Sequence, residues 1–184
     1  FAHRPDVRVL SIPLWDESER WQVIEGFNQT EQALECTTLP DLFEAQVEKT
    51  PEATALIFAE EELSYRALDQ RANPLARLLR ARHIGPETLV ALALDRSVEM
   101  VVSLLAVLKS GAAYLPLDPD YPIDRLRFML ADSCARCLLT ERWILDRLVG
   151  EDGSLAVPLS FCLDEKEAQG RLGKFASKGL SNRD

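Results

Sequence analysis

The stretch LKSGAAYLPLDPDYP, residues 108–122, brings together Lys109, Gly111, Tyr114, Pro116, Asp118, Asp120, Tyr121 and Pro122. Residues of these types can do chemistry. Lys109 could meet an anionic ligand, and Asp118 with Asp120 could serve as a metal or acid–base pair. Each also has a structural role. Lys109 falls in the last turn of an apolar segment, where it complements a helix dipole. Gly111 suits a helix stop that needs positive φ. Asp118 and Asp120 suit a turn and a cap. Tyr114 and Tyr121 are expected to pack their rings.

Other candidate groups are sparse. Cys134 and Cys137 form CARC, a spacing that fits a redox pair or half a zinc site. Zinc needs four ligands, and His3 and His83 stand in no paired spacing. Buried, reduced thiols are expected for Cys36, Cys134, Cys137 and Cys162, which implies a reducing, cytoplasmic compartment. The two histidines are expected on the surface. No Gly-rich dinucleotide or Walker loop is present, no Ser sits in a nucleophile elbow, and no carboxylate cluster suggests a metal.

Alternating elements must position these residues. LPDLFEAQVEKTP predicts a helix ended by Pro51, and TALIF a short buried strand. LSYRALDQRANPLARLLRARHIG predicts a long amphipathic helix with Ser64 as its cap and Gly85 after its end. Pro74 inside that helix predicts a kink or break, with Asn73 able to cap a second helix. TLVALAL reads as a strand, SVEMVVSLLAVLKSG as a buried helix, and AAYLPL as a strand. Pro116 must lie at a strand end or edge. YPIDRLRFMLADS reads as a helix with Pro122 at its first position. RCLLT, RWILDRLV and VPLSFCL read as strand, helix and strand. The alternation argues for an α/β fold, a mostly parallel sheet with helices on both faces. TLVALAL and TALIF are almost continuously apolar, as doubly covered strands are.

Residues 1–38 differ from this. VRVLSIPLW suits one strand, and DESERWQVIEGFN a short helix capped by Asp16 with Trp21, Ile24 and Phe27 on one face. They read as a linker that lies on something rather than a core. Residues 39–169 form the folded domain, and 170–184, rich in Gly, Ser and Lys, are expected to be disordered.

The bulk numbers exclude several functions. The 184 residues can bury about 70% of their unfolded surface. A net charge of −9 disfavours nucleic acid. The longest apolar run, VVSLLAVL, falls short of the roughly 20 residues a membrane span needs. The first residue is Phe1 rather than Met, so a fragment or processed product is expected.

The string LKSGAAYLPLDPDYPIDRLRFMLADS resembles a core motif of the adenylation domains of nonribosomal peptide synthetases. LSYRALDQRANPLARLLR, with Leu63, Ser64, Tyr65 and Leu68, is similar to the preceding core motif. In the later motif the matching positions include Leu108, Lys109, Gly111, Tyr114, Pro116, Asp118, Tyr121 and Pro122. TLPDLFEAQVEKTPEATALIF resembles the usual opening of the domain, and FNQTE the linker from a condensation domain. The likeness runs from about Val7 to Thr140 and more weakly to Asp164. Pro74 replaces a usual long polar residue, and Cys134 and Cys137 replace small or branched ones.

The resemblance implies an incomplete N-terminal subdomain of the adenylate-forming fold. It implies a complete enzyme that uses ATP and Mg to turn an amino acid into aminoacyl-AMP. That enzyme then loads the phosphopantetheine thiol of a carrier domain. The upstream condensation domain, the downstream carrier domain and the rest of the adenylation domain are the implied partners. The family's phosphate loop, amino-acid pocket and lid with its catalytic lysine lie further downstream. ASKGLS lacks the loop's Thr-Gly repeats. The motif residues are therefore expected to be structural, with no catalytic, cofactor or metal residue in the chain, and the isolated chain is expected to be inactive. The alternatives are the start of a stand-alone acyl or aryl acid ligase, or a non-catalytic α/β docking module.

Overall fold

A computed structural model describes residues 15–31, 38–150 and 153–164. The chain divides into two compact units, Phe1–Cys36 and Thr37–Asp184. In the first, Asp16 and Glu19 form a capping box that starts α1 (Glu17–Trp21), which runs into a π-helical turn, Gln22–Gly26. Ser18 and the Glu19 backbone N–H both donate to Asp16 and hold its carboxyl below the usual range. Trp21, Ile24 and Phe27 are exposed. The strand expected over 7–15, the expected tail 170–184, His3 and Cys36 lie wholly or almost wholly outside the described residues.

The second unit opens with α2 (Leu39–Lys49), capped by Thr38 and Asp41 and closed at Thr50 before Pro51. Strands β1 (Thr54–Phe58) and β2 (Glu61–Ser64) then pair antiparallel. The apolar run TALIF is thus not a buried strand of the main sheet. It forms one arm of a separate hairpin, and Ile57 is largely exposed. Its partner, EELS, is too polar to announce a strand. The two-residue turn gives no signal either, because Ala59 takes the positive φ (52°) that Gly, Asn or Asp ordinarily supplies.

Helix α3 (Tyr65–Ala81) begins at Ser64, whose hydroxyl accepts from the Ala67 N–H at 3.2 Å. It is continuous through Pro74, so the expected break is absent. Asn73 does not cap; its amide donates to Asp69 one turn earlier at 2.7 Å. Interior proline costs about 3 kcal/mol. Leu68 and Ala72 before it, and Leu75, Ala76, Leu78 and Leu79 after it, are buried. At roughly 1.5–3 kcal/mol per buried leucine, that burial outweighs the proline. The helix stops two residues earlier than the glycine signal suggested. His83, not Gly85, takes the left-handed conformation (φ 59°). The Ile84 N–H reaches back to the Leu79 carbonyl and the His83 N–H to that of Arg80, which makes a Schellman motif.

The remaining elements are β3 (Leu89–Ala93), α4 (Val98–Ser110), β4 (Ala113–Pro116), α5 (Ile123–Asp132), β5 (Cys137–Thr140), α6 (Arg142–Leu148) and β6 (Ser160–Cys162). The four strands are parallel in the order β4-β3-β5-β6. Side chains alternate across the sheet. Val90, Leu92, Cys137, Leu139 and Phe161 pack on one face with α3 and α4. Ala91, Ala93, Leu138 and Cys162 pack on the other with α5 and α6. The sheet with helices on both faces is thus as the alternation predicted. Pro122 precedes α5 as its cap instead of opening it. No described helix is long and apolar enough to cross a membrane.

Candidate functional site

The stretch 108–122 does not form one site. Lys109 and Gly111 end α4 and feed the start of β4, whereas Asp118 to Pro122 follow its end. Strand β4 spans about 13 Å at 3.3 Å per residue, so the lysine and the aspartates sit at opposite ends of the sheet.

At the first end, Lys109 is buried, with its side chain 2% exposed. Its ammonium forms ion pairs with Glu44 of α2 and with Asp69 of α3, the latter at 2.8 Å, and lies 5.9 Å from the centre of the Phe43 ring. Arg80 of α3 donates to the Lys109 carbonyl at 2.6 Å. Lysine side chains point back toward the helix N-terminus, which turns Lys109 inward between the helices. It is therefore neither a simple dipole partner nor presented to a ligand. It ties three helices together. Gly111 has φ 87°, and a Cβ there would stand 3.2 Å from Pro86 Cδ. The other motif residues of this region lie in or beside the core. The Tyr65 ring lies 5.9 Å from that of Phe43, tilted by 42°, Leu68 is in the core, and Leu63 and Leu108 are partly buried.

At the other end, the Asp118 carboxylate accepts from the Asp120 N–H at 3.0 Å, and the Asp118 carbonyl accepts from the Tyr121 N–H at 3.0 Å. Asp118 is a turn residue, as expected. Asp120 caps nothing, because α5 lacks a side-chain cap. Arg125 lies 4.3 Å over the Tyr121 ring. Tyr114 is 42% exposed on edge strand β4, so it does not pack as expected. Pro116 ends that edge strand.

Open α/β sheets hold ligands at the carboxyl ends of their strands, where the strand order reverses. Here α4 leaves β3 on one face and α6 leaves β5 on the other, so that crevice lies between β3 and β5. The helix N-termini that open on it are already capped. Ser97 caps α4, and the Asp164 carboxylate accepts the Arg142 N–H at 3.1 Å from both oxygens, which caps α6 from beyond β6. Sequence reading missed Asp164, Glu44 and Asp69. It also missed Arg127, which donates to the Arg147, Leu148 and Val149 carbonyls at the end of α6. Long-range partners leave no local signal.

The thiols divide. Cys137 is buried, and that burial pushes it up to about 12 despite nearby Arg82. Cys162 is buried too. Cys134 is exposed at φ 52°, contrary to the buried thiol expected. No group of three or more His, Cys, Asp or Glu among the described residues could hold a metal. His83 is exposed, as expected.

The sequence model of the AMP-binding enzymes matches residues 43–180. This chain belongs to the AMP-binding enzyme family. It is 44% identical over 165 residues to tyrocidine synthase 3 of Brevibacillus parabrevis, which covers 89% of this chain and 2% of that protein. It is 38% identical over 180 residues to the dimodular nonribosomal peptide synthase of Bacillus subtilis (strain 168), covering 98% and 7%. A solved nonribosomal peptide synthetase, FmoA3 with AMPPNP bound, aligns with TM-score 0.68 at 26% identity over 80% of this chain and 15% of that one. The N-terminal subdomain of Klebsiella oxytoca NpsA shares the fold, with TM-score 0.65 at 23% identity over 82% and 36%. The chain thus spans a small fraction of the curated synthetases and about a third of a solved N-terminal subdomain.

ATP and magnesium are what an AMP-binding fold implies. The described residues do not fit them: Lys109 is committed to two carboxylates, the helix N-termini facing the crevice are capped by Ser97 and Asp164, and no set of acids converges. No catalytic step is assigned to this chain.

Proposed function

We propose that this chain is the N-terminal scaffold of a peptide-synthetase adenylation domain. The complete domain would join an amino acid to the AMP portion of ATP, release pyrophosphate, and pass the acyl group to a carrier's phosphopantetheine thiol. In this reading residues 1–38 link an upstream condensation domain to residues 39–169, a carrier domain follows the completed adenylation domain, and the synthetase is cytoplasmic. The likeness to a dimodular synthase over 180 residues supports the linker, because it extends well upstream of Leu39. A stand-alone acid ligase would have no need of such a segment.

The observation that carries the reading is the match of the family model to most of the second unit. The chain's own contribution is to hold the sheet and its flanking helices together. Adenylate formation builds charge at a phosphate and needs convergent donors or cations, and the described residues gather no such set. The isolated chain is accordingly inactive. Amino-acid-dependent ATP–pyrophosphate exchange tests this. No exchange is expected from the 184-residue chain, and exchange is expected once the rest of an AMP-binding domain is joined to it. Exchange by the chain alone would overturn the scaffold reading.

A further inference from the structure

The sheet has two unlike edges. Strand β4 is half-exposed and ends on Pro116, a residue without an N–H that blunts an edge. Strand β6 is the opposite case. Phe161 is 4% exposed and packs on the α3–α4 side, while Cys162 is 6% exposed and packs on the α5–α6 side. A strand covered on both faces has the pattern of an internal strand.

Two hydrogen bonds fix which way the β6 backbone points. The Leu138 N–H donates to the Leu159 carbonyl, and the Leu163 N–H donates to the Thr140 carbonyl, each at 2.9 Å. Successive residues of a strand present their backbone groups to alternate sides. Leu159, Phe161 and Leu163 therefore face β5, and Ser160 turns its N–H and carbonyl away. No strand among the described residues pairs with that side. About two thirds of the solved NpsA N-terminal subdomain has no counterpart in this chain.

We propose that β6 is an acceptor edge, and that the Ser160 backbone pairs with a strand from the part of the AMP-binding domain outside this chain. The inference rests on the adenylation-domain reading and adds the place where the missing segment docks. Edge-to-edge pairing with a second copy is the competing occupant.

Amide hydrogen exchange at Ser160 tests it, in this chain and in this chain joined to the remaining AMP-binding domain of tyrocidine synthase 3. The Ser160 amide is expected to exchange rapidly in the monomeric chain and at least about 100-fold more slowly in the joined protein, within the span between edge and core amides. Ser160→Pro is expected to leave the melting of the chain alone nearly unchanged and to lower that of the joined protein. Phe161→Pro is expected to disrupt both, because its N–H faces β5. A Ser160 amide equally fast in a joined protein that catalyses pyrophosphate exchange would overturn the docking edge and leave the family reading intact. Protection that grows with the concentration of the chain alone would assign the edge to a second copy and also overturn it. Loss of stability from Ser160→Pro in the chain alone as large as that from Phe161→Pro would count against an outward-facing Ser160 N–H and overturn the proposal, whether or not the joined protein folds. A folded joined protein with a protected Ser160 amide but no pyrophosphate exchange would support the edge and count against the proposed activity.

Discussion

The two ends of the parallel sheet hold charged motif residues in opposite ways. At the end where α4 runs into β4, Lys109 is buried against Glu44 and Asp69. At the end where β4 runs into α5, Asp118 and Asp120 are exposed and shaped by backbone hydrogen bonds. Charge at the first end is stabilising only as a matched set, because a buried cation without partners costs several kcal/mol. Charge at the second end stays in water and serves turn geometry. Residues adjacent in sequence thus do unrelated work, and sensitivity to substitution should differ sharply between them.

The largest expected effect is at the buried end. Lys109→Met leaves two carboxylates facing each other without their cation, and urea unfolding should show a loss of about 3–5 kcal/mol. A loss below about 1 kcal/mol would place Lys109 with exposed surface pairs.

Next is an alkaline weakness at the same end. The Cys137 thiol titrates near 9.0 when unfolded and about 12 when folded. The unfolded state therefore loses its proton first. The stability from this group is fully present below pH 9 and is lost as pH rises toward 12, at about 1.4 kcal/mol per pH unit. Denaturant midpoints from pH 8 to 11 should fall more steeply in the native chain than in Cys137→Ala. Equal slopes would contradict the burial. Site-resolved alkylation should label Cys134 before Cys137.

A smaller change should stabilise. His83 holds a left-handed conformation that glycine adopts without strain, so His83→Gly should add about 1 kcal/mol in thermal or urea unfolding. A loss would mean that the His83 side chain does more than end α3. The smallest effect belongs to the exposed turn. Asp118→Ala removes one hydrogen bond to a backbone N–H and should cost about 0.5 kcal/mol. A cost rivalling that of Lys109→Met would erase the contrast between the two ends.

Periodicity and helix punctuation made much of the fold legible. Alternation of apolar runs with amphipathic segments gave the parallel sheet, and Gly111 and Ser64 gave a helix stop and start. Legibility failed where long-range burial overrode a local signal. Pro74 broke nothing because leucines on both sides of it reach the core. TALIF looked like a central strand because an apolar run does not say which strand it pairs with. Gly85 drew attention from His83 because the rule names the commonest residue, not the only one. The clustering of the motif residues in sequence hid their separation across the sheet, with Lys109 and Gly111 before β4 and Asp118 to Pro122 after it. The partners of Lys109 were invisible, since Glu44 and Asp69 lie 65 and 40 residues away.

Lys109 is buried as a tie between helices and not turned toward a ligand. A double-mutant cycle of Lys109→Met and Asp69→Asn, read by urea unfolding, tests it most directly. A coupling of about 2 kcal/mol or more is expected, because Lys109 and Asp69 are direct partners even though Glu44 also meets the ammonium. Additivity within about 0.5 kcal/mol would contradict it.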